Sequence, residues 1–146
     1  MADSTAHAVW EGDLASGRGK VDAGSGAFAG LDVTWAARTE RPSSLTSPEE
    51  LIAAAHATCY AMAFSNTLAG DGTPPERLEV DAVCHFGPLR EGGFSIRGID
   101  LEVRGRVPGI DQVAFEDAAA RGEQGCPVSN ALRGNVEIQL TATLET

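Results

Sequence analysis

Apolar residues recur along this chain with two different spacings, and each spacing predicts a different kind of element. Residues 46–70 are apolar almost all the way round a helix, and no other stretch is as long. Thr46 or Ser47 can cap this helix, Pro48 suits its first turn, and Gly70 can end it. We therefore predict a long central helix over 46–70 that other elements enclose.

Alternation of apolar and polar residues predicts strands on both sides of that helix. The predicted strands are 7–14, 17–23, 30–38, 77–86, 94–107 and 136–144. In the fifth of these, Gly98 marks a bulge where the alternation changes phase. This order of elements predicts an α+β fold with a mostly antiparallel sheet packed around the central helix.

Two further helices are predicted near the end of the chain, over 111–124 and 127–133. The inner stripe of the first consists of apolar side chains at helical spacing: Val113, Ala114, Phe115, Ala118 and Ala119. The second begins at Pro127, which places Cys126 at or near its N-cap.

Length and charge limit the classes of function. A chain of 146 residues predicts one domain over 1–146. No stretch reaches the roughly 18 apolar residues of a membrane span, so we expect a cytoplasmic protein. The net charge of -10 opposes binding to nucleic acid or to an anionic membrane, since both need a basic face.

Three cysteines are the candidate reactive groups. The thiolate is the reactive form, and a helix N-terminus lowers a thiol pKa, which favours Cys126. Cys59 lies about three turns into the central helix, so a reactive Cys59 would need a charged side chain, with an arginine the expected donor. Cys84 faces inward on its strand, and we expect it to be structural.

His56 precedes Cys59 by three residues and shares its helix face. With Cys84, His85 and Cys126, this pair could in principle bind zinc, although no second close pair supports a metal site. A helix histidine with satisfied hydrogen bonds is the simpler interpretation.

Two motifs identify a resemblance. The segment PEELIAAAHATCYAMAFS, followed by GCPVSNALRGNVEIQLTATL, closely resembles the OsmC/Ohr family of osmotically inducible and organic hydroperoxide resistance proteins. Trp10, Glu11 and Gly12 in the opening strands, and the predicted strand that ends in Arg38, extend the resemblance over nearly the whole chain. CPVS is similar to the OsmC branch and SNALRGNVEI to the Ohr branch, and the whole leans to OsmC.

The resemblance implies an OsmC-like fold, an intertwined homodimer with active sites at the subunit interface, and a thiol-dependent peroxidase that reduces organic hydroperoxides to alcohols. By match to the motifs, Cys59 is the peroxidatic cysteine, which passes through a sulfenic acid, and Cys126 is the resolving cysteine, which closes a Cys59–Cys126 disulfide. The implied chemistry uses no metal, flavin or haem. The implied partners are an organic hydroperoxide and a dithiol reductant, for which the resemblance suggests a dithiol of the lipoyl type.

An arginine and a glutamate assist the thiolate in this family. Glu49 matches the glutamate that orients the arginine. Arg38 matches the arginine of the OsmC branch, Arg18 lies nearer to the position used in the Ohr branch, and Arg41 is a third candidate; we choose Arg38. The alternative function is a redox sensor or a small-molecule-binding domain that keeps the fold without turnover.

Glu49 and Cys59 are ten residues apart, which corresponds to about 15 Å along a straight helix. They cannot touch within one such helix. We therefore predict either that Glu49 reaches the active site of the partner subunit, or that the helix begins later and the chain turns at Glu49.

Overall fold

A computed structural model describes residues 1–40 and 44–145. The chain separates into two compact units, Met1–Leu51 and Ile52–Thr146. Its mixed α+β composition, with two small sheets and four helices in the described residues, confirms the predicted fold class. None of the described helices combines the length and the apolar character needed to span a bilayer.

The first unit contains an antiparallel sheet of three strands in the order β1-β2-β3. These strands are β1, Ala6–Glu11; β2, Arg18–Ala23; and β3, Leu31–Val33. The first two agree with the predicted strands and are shorter. Of all the residues in the three strands, only Gly19 is buried, and the others are exposed or partly exposed.

The predicted strand over 30–38 is wrong beyond Val33. Helix α1, Trp35–Thr39, follows instead, and Arg38 lies in its last turn. The cause is a cap: the Thr34 hydroxyl accepts a hydrogen bond from the Ala37 backbone N–H at 3.0 Å, which satisfies one of the free donors of the first turn.

Helix α2, Pro48–Gly70, is the long predicted helix. Ser47 caps it by accepting a bond from the Glu50 N–H at 3.0 Å. The prediction that other elements enclose the helix is wrong for the single chain. One stripe is buried, while Met62 on another face is 64% exposed. An apolar pattern indicates that a helix face has to be buried, but it does not indicate whether the same chain or another chain buries it.

The second unit contains a sheet in the order β4-β5-β6. Strands β4, Arg77–Pro88, and β5, Phe94–Arg106, are antiparallel, and β6, Glu137–Leu144, runs parallel to β5. The register between β4 and β5 shifts where His85 faces Gly98 and Phe86 faces Ile96, which confirms the predicted bulge.

Two helices connect β5 to β6. Helix α3, Gln112–Gln124, buries Phe115, Ala118 and Ala119 as predicted, whereas Val113 is 74% exposed and Ala114 is also exposed, so these two do not belong to the inner stripe. Helix α4, Pro127–Leu132, has Cys126 as its N-cap, as predicted.

Helix α3 packs on α2 through aromatic and polar contacts. The rings of Phe64 and Phe115 meet edge to face with centroids 5.1 Å apart. The buried Tyr60 hydroxyl donates to the Ala119 carbonyl at 3.0 Å. Where the two helices come closest, α3 carries Gly122, whose missing side chain makes room for the backbone of Phe64. These contacts fix the position of α3, whose last turn leads directly to Cys126.

Candidate active site

Cys59 and Cys126 lie next to each other in the second unit. Cys59 is half-buried on α2 and Cys126 is fully buried at the N-cap of α4. No disulfide joins them, and the Cys126 side chain is among the groups that raise the pKa of the Cys59 thiol. The structure therefore brings together the two cysteines that the sequence assigned to one reaction.

A backbone group that the sequence did not indicate assists Cys59, and its dependence on a charged side chain stays a prediction. Burial raises the pKa of the Cys59 thiol, and the neighbouring Cys126 raises it further, whereas a hydrogen bond from the Val128 backbone lowers it. We expected the first turn of the last helix to favour Cys126 and Cys59 to depend on a side chain. Cys126 makes no side-chain capping bond. Within the first turn of α4, the Val128 N–H interacts with the Cys59 sulfur instead.

The third cysteine, Cys84, is assigned no part in the chemistry of this pair. It is buried on β4, as predicted, and belongs to the hydrophobic core. Its structural assignment stays a prediction.

His56 is buried next to the thiols and bonds to Ser129. Its Nε2 lies 2.7 Å from the Ser129 hydroxyl oxygen, and both residues are fully buried. Its Nδ1 has no hydrogen-bond partner among the described residues. Burial lowers the pKa of His56, so the imidazole is held neutral. The satisfied helix histidine that we favoured is half correct, because one of the two ring nitrogens is satisfied.

An ion pair between the exposed Arg133 and the buried Glu123 acts on His56. The Arg133 guanidinium donates to the Glu123 carboxylate at 2.9 Å, and Glu123 is largely buried. The Glu123 charge raises the pKa of His56 and the Arg133 charge lowers it, both by less than burial does. Sequence reasoning missed Val128, Ser129 and this ion pair, since nothing in their spacing indicates contact with a helix some 70 positions earlier.

In the first unit, Arg38 and Glu49 form a bidentate pair. Arg38 Nε lies 2.9 Å and 3.2 Å from the two Glu49 carboxylate oxygens, and Nη2 lies 2.8 Å from Oε1. The guanidinium also lies 5.9 Å from the Trp35 ring centroid. This geometry holds the guanidinium in one plane and direction. Glu49 itself is 5% exposed, so the carboxylate is well defined by its partner.

The other arginine candidates are placed differently. Arg18 is the exposed first residue of β2. Arg41 lies outside the described residues. Glu49 is in the first turn of α2, so the alternative in which the helix begins after Glu49 is wrong, and its reach into a partner subunit stays a prediction.

Across residues 1–40 and 44–145, no group of three or more histidine, cysteine, aspartate and glutamate side chains has a metal-binding arrangement.

Known proteins resemble this chain in sequence. The chain is 36% identical to peroxiredoxin OsmC of Escherichia coli over 131 residues, which is 90% of each protein. It is 37% identical to the organic hydroperoxide resistance protein of Xanthomonas axonopodis over 97 residues, which is 66% of each.

Two solved structures match the fold over nearly the full chain. An organic hydroperoxide resistance protein from Elizabethkingia anophelis has a TM-score of 0.74 and 26% identity, covering 97% of this chain and 96% of its own. OhrB of Bacillus subtilis has a TM-score of 0.74 and 25% identity, covering 95% and 98%. The model of OsmC-like proteins matches residues 41–141, and this chain belongs to the OsmC-like protein family.

Proposed function

We propose that this protein is a thiol-dependent peroxidase that reduces organic hydroperoxides, with Cys59 as the peroxidatic and Cys126 as the resolving cysteine. The observation that carries the proposal is the adjacency of the two thiols, with the Val128 N–H on the Cys59 sulfur. Relatives named as a peroxiredoxin and as organic hydroperoxide resistance proteins support the substrate class.

The proposed reaction has three steps. The Cys59 thiolate attacks the terminal oxygen of the hydroperoxide, the O–O bond breaks, and the alkoxide takes a proton and leaves as the alcohol. Cys126 then attacks the sulfur of the Cys59 sulfenic acid, which forms the disulfide and releases water. A dithiol of the lipoyl type reduces the disulfide and is itself oxidised.

Formation of the thiolate needs a cation, because burial raises the Cys59 pKa and a single N–H opposes it. We assign this role to Arg38, which Glu49 holds in a bidentate pair. A guanidinium beside the sulfur would also stabilise the charge that develops on the leaving oxygen. Arg38 and Glu49 of one subunit would serve the thiols of the other in an intertwined homodimer.

Two exposed surfaces support the homodimer. The β1-β2-β3 sheet buries only Gly19, and the apolar helix α2 leaves Met62 64% exposed. A three-stranded sheet without a covered face is marginal in water, so a second copy of the chain is the expected cover.

The test is steady-state consumption of cumene hydroperoxide and of hydrogen peroxide, with dihydrolipoamide as reductant. We expect the wild type to prefer the organic substrate, Cys59→Ser to lose turnover, and Cys126→Ser to react once and stop. Cys84→Ala is the matched control, since it removes the third cysteine without touching the pair, and it should keep wild-type rates. Full activity in Cys59→Ser would refute the assignment and make Cys126 the candidate nucleophile.

The adjacency of the two thiols supports a second candidate as well, a redox sensor with the same disulfide and little turnover. A small-molecule-binding domain of the same fold would likewise lack turnover. If peroxide closes the Cys59–Cys126 disulfide but dihydrolipoamide supports no continued consumption, the sensor is the better description.

A further inference from the structure

The hydrogen bond between His56 and Ser129 joins α2 to α4 beside the thiols, and the chemistry proposed above does not use it. It spans 2.7 Å between two fully buried side chains. His56 lies three residues before Cys59 on α2, and Ser129 lies three residues after Cys126. Each partner of the bond therefore sits within one helical turn of one thiol.

We infer that His56 and Ser129 are positioning residues for disulfide formation: their bond holds the first turn of α4 against α2, and so keeps Cys126 within reach of Cys59. The same turn carries Val128, whose N–H contacts the Cys59 sulfur. The inference rests on the proposed function for its role in turnover, while the geometry it concerns is that of the thiol pair.

The His56 ring is anchored from one side only. Nδ1 has no partner among the described residues, so Ser129 supplies the hydrogen bond that orients the imidazole. The charged groups that act on the ring are Glu123 and Arg133, which pair with each other at 2.9 Å. Burial lowers the pKa of His56 and so keeps the ring neutral. The neutral ring, bonded through Nε2 to Ser129, holds α4 at a defined distance from α2.

Disulfide formation is sensitive to the distance between α2 and α4 that this hydrogen bond maintains. The Cys126 thiol loses its proton and attacks the sulfur of the Cys59 sulfenic acid; the S–S bond forms, the S–O bond breaks, and the oxygen leaves with that proton as water. The electrons balance because the hydroperoxide has already oxidised Cys59. A disulfide tolerates only a narrow range of Cα separation and of torsion, so a shift of α4 relative to α2 slows this step more than the first.

The test compares three variants with the wild type. Ser129→Ala removes the bond and strands His56 Nε2; His56→Gln keeps an amide nitrogen near the Nε2 position and so retains the bond. Thr67→Val is the matched control, because it removes a hydroxyl bond of 3.1 Å to the Ala63 carbonyl, also on α2 but two turns beyond Cys59. Folding of each variant is checked by near-ultraviolet circular dichroism.

Two readouts separate positioning from stability. The first is the equilibrium between the Cys59–Cys126 dithiol and disulfide in dithiothreitol buffers, which needs no peroxide. The second is the lifetime of the Cys59 sulfenic acid after one equivalent of cumene hydroperoxide. We expect Ser129→Ala to disfavour the disulfide about tenfold and to lengthen the sulfenic acid lifetime about tenfold, with His56→Gln and Thr67→Val near the wild type.

If Ser129→Ala does not fold, the double variant His56→Phe with Ser129→Ala removes both polar partners and leaves no stranded atom. It should fold and show the same two defects. Wild-type values of both readouts in a folded variant without the bond would overturn the inference. A wild type that does not react with hydroperoxide, combined with a shifted dithiothreitol equilibrium in Ser129→Ala, would refute the proposed function and leave the inference standing.

Discussion

The close approach of α3 to α2 at Gly122 makes a strong prediction for the substitution Gly122→Ala. A methyl group built at this position would lie 2.9 Å from the Phe64 Cα and 3.2 Å from its Cβ. Carbon atoms pack best at about 3.5–4.0 Å, so the helices would have to separate by about 0.6 Å. The obstacle is backbone, which cannot rotate away as a flexible side chain can.

The cost of that separation follows from the contacts that share the interface. The bond of 3.0 Å from Tyr60 to the Ala119 carbonyl would stretch beyond hydrogen-bonding distance, a loss of about 1 kcal/mol. Loosened packing of Phe64 on Phe115 adds about 2 kcal/mol. Replacing glycine by alanine in a helix returns about 1 kcal/mol. We therefore expect Gly122→Ala to lower the free energy of unfolding by about 2 kcal/mol.

Urea denaturation followed by tryptophan fluorescence measures this change, with the dependence on denaturant expected to stay constant. The matched control is Gly70→Ala, the same substitution at the end of α2, where no atom of the described residues beyond the adjoining turn of the helix lies within 4 Å of the new methyl group. It should be neutral or stabilising by up to about 1 kcal/mol. Equal stabilities of the two variants would refute the close packing of α2 on α3.

Three further predictions concern the polar groups. Tyr60→Phe removes the buried bond to the Ala119 carbonyl and should cost about 1 kcal/mol of unfolding free energy in the same urea assay. Burial lowers the pKa of His56 from its usual 6.5, so the unfolded chain binds this proton at a higher pH than the folded chain does. The free energy of unfolding should therefore fall as the pH drops below about 6.5. His56→Gln should make thermal midpoints less dependent on pH in that range. Arg38→Lys keeps the charge but cannot form the bidentate pair with Glu49, and kcat/KM for cumene hydroperoxide should fall about tenfold or more, whereas an unchanged value would exclude Arg38 from the reaction.

Local signals in the sequence were sufficient for several features. The cap, proline and acidic residues at the start of α2 are contiguous, and Pro127 alone placed Cys126 at an N-cap. The change of phase at Gly98 located the bulge. Each of these features depends on residues within one or two turns or a few strand positions, so a pattern along the chain can record it.

One miss was local: the Thr34 cap outweighs the alternation that suggested a strand up to Arg38, and it stabilises a helix of only five residues. The other missed features are set by distant contacts, which a pattern along the chain does not record. Ser129 and His56 are 73 positions apart, and the direction of β6 relative to β5 leaves no trace in its alternation. For the same reason, the apolar character of α2 indicated that its surface has to be buried, but it gave a wrong expectation of how much of that surface the single chain buries.

The parallel pairing of β6 with β5 also determines when, during folding, the two thiols can meet. Strands β4 and β5 form a hairpin from contacts close in sequence, whereas β6 can pair only after residues 107–136 have crossed over the sheet, a slower event with a larger loop to close. Cys126 lies inside that crossover. A chain that has been synthesised only as far as β5 therefore keeps Cys59 without its neighbour, and the thiols can pair only after the helices of the crossover have packed on α2.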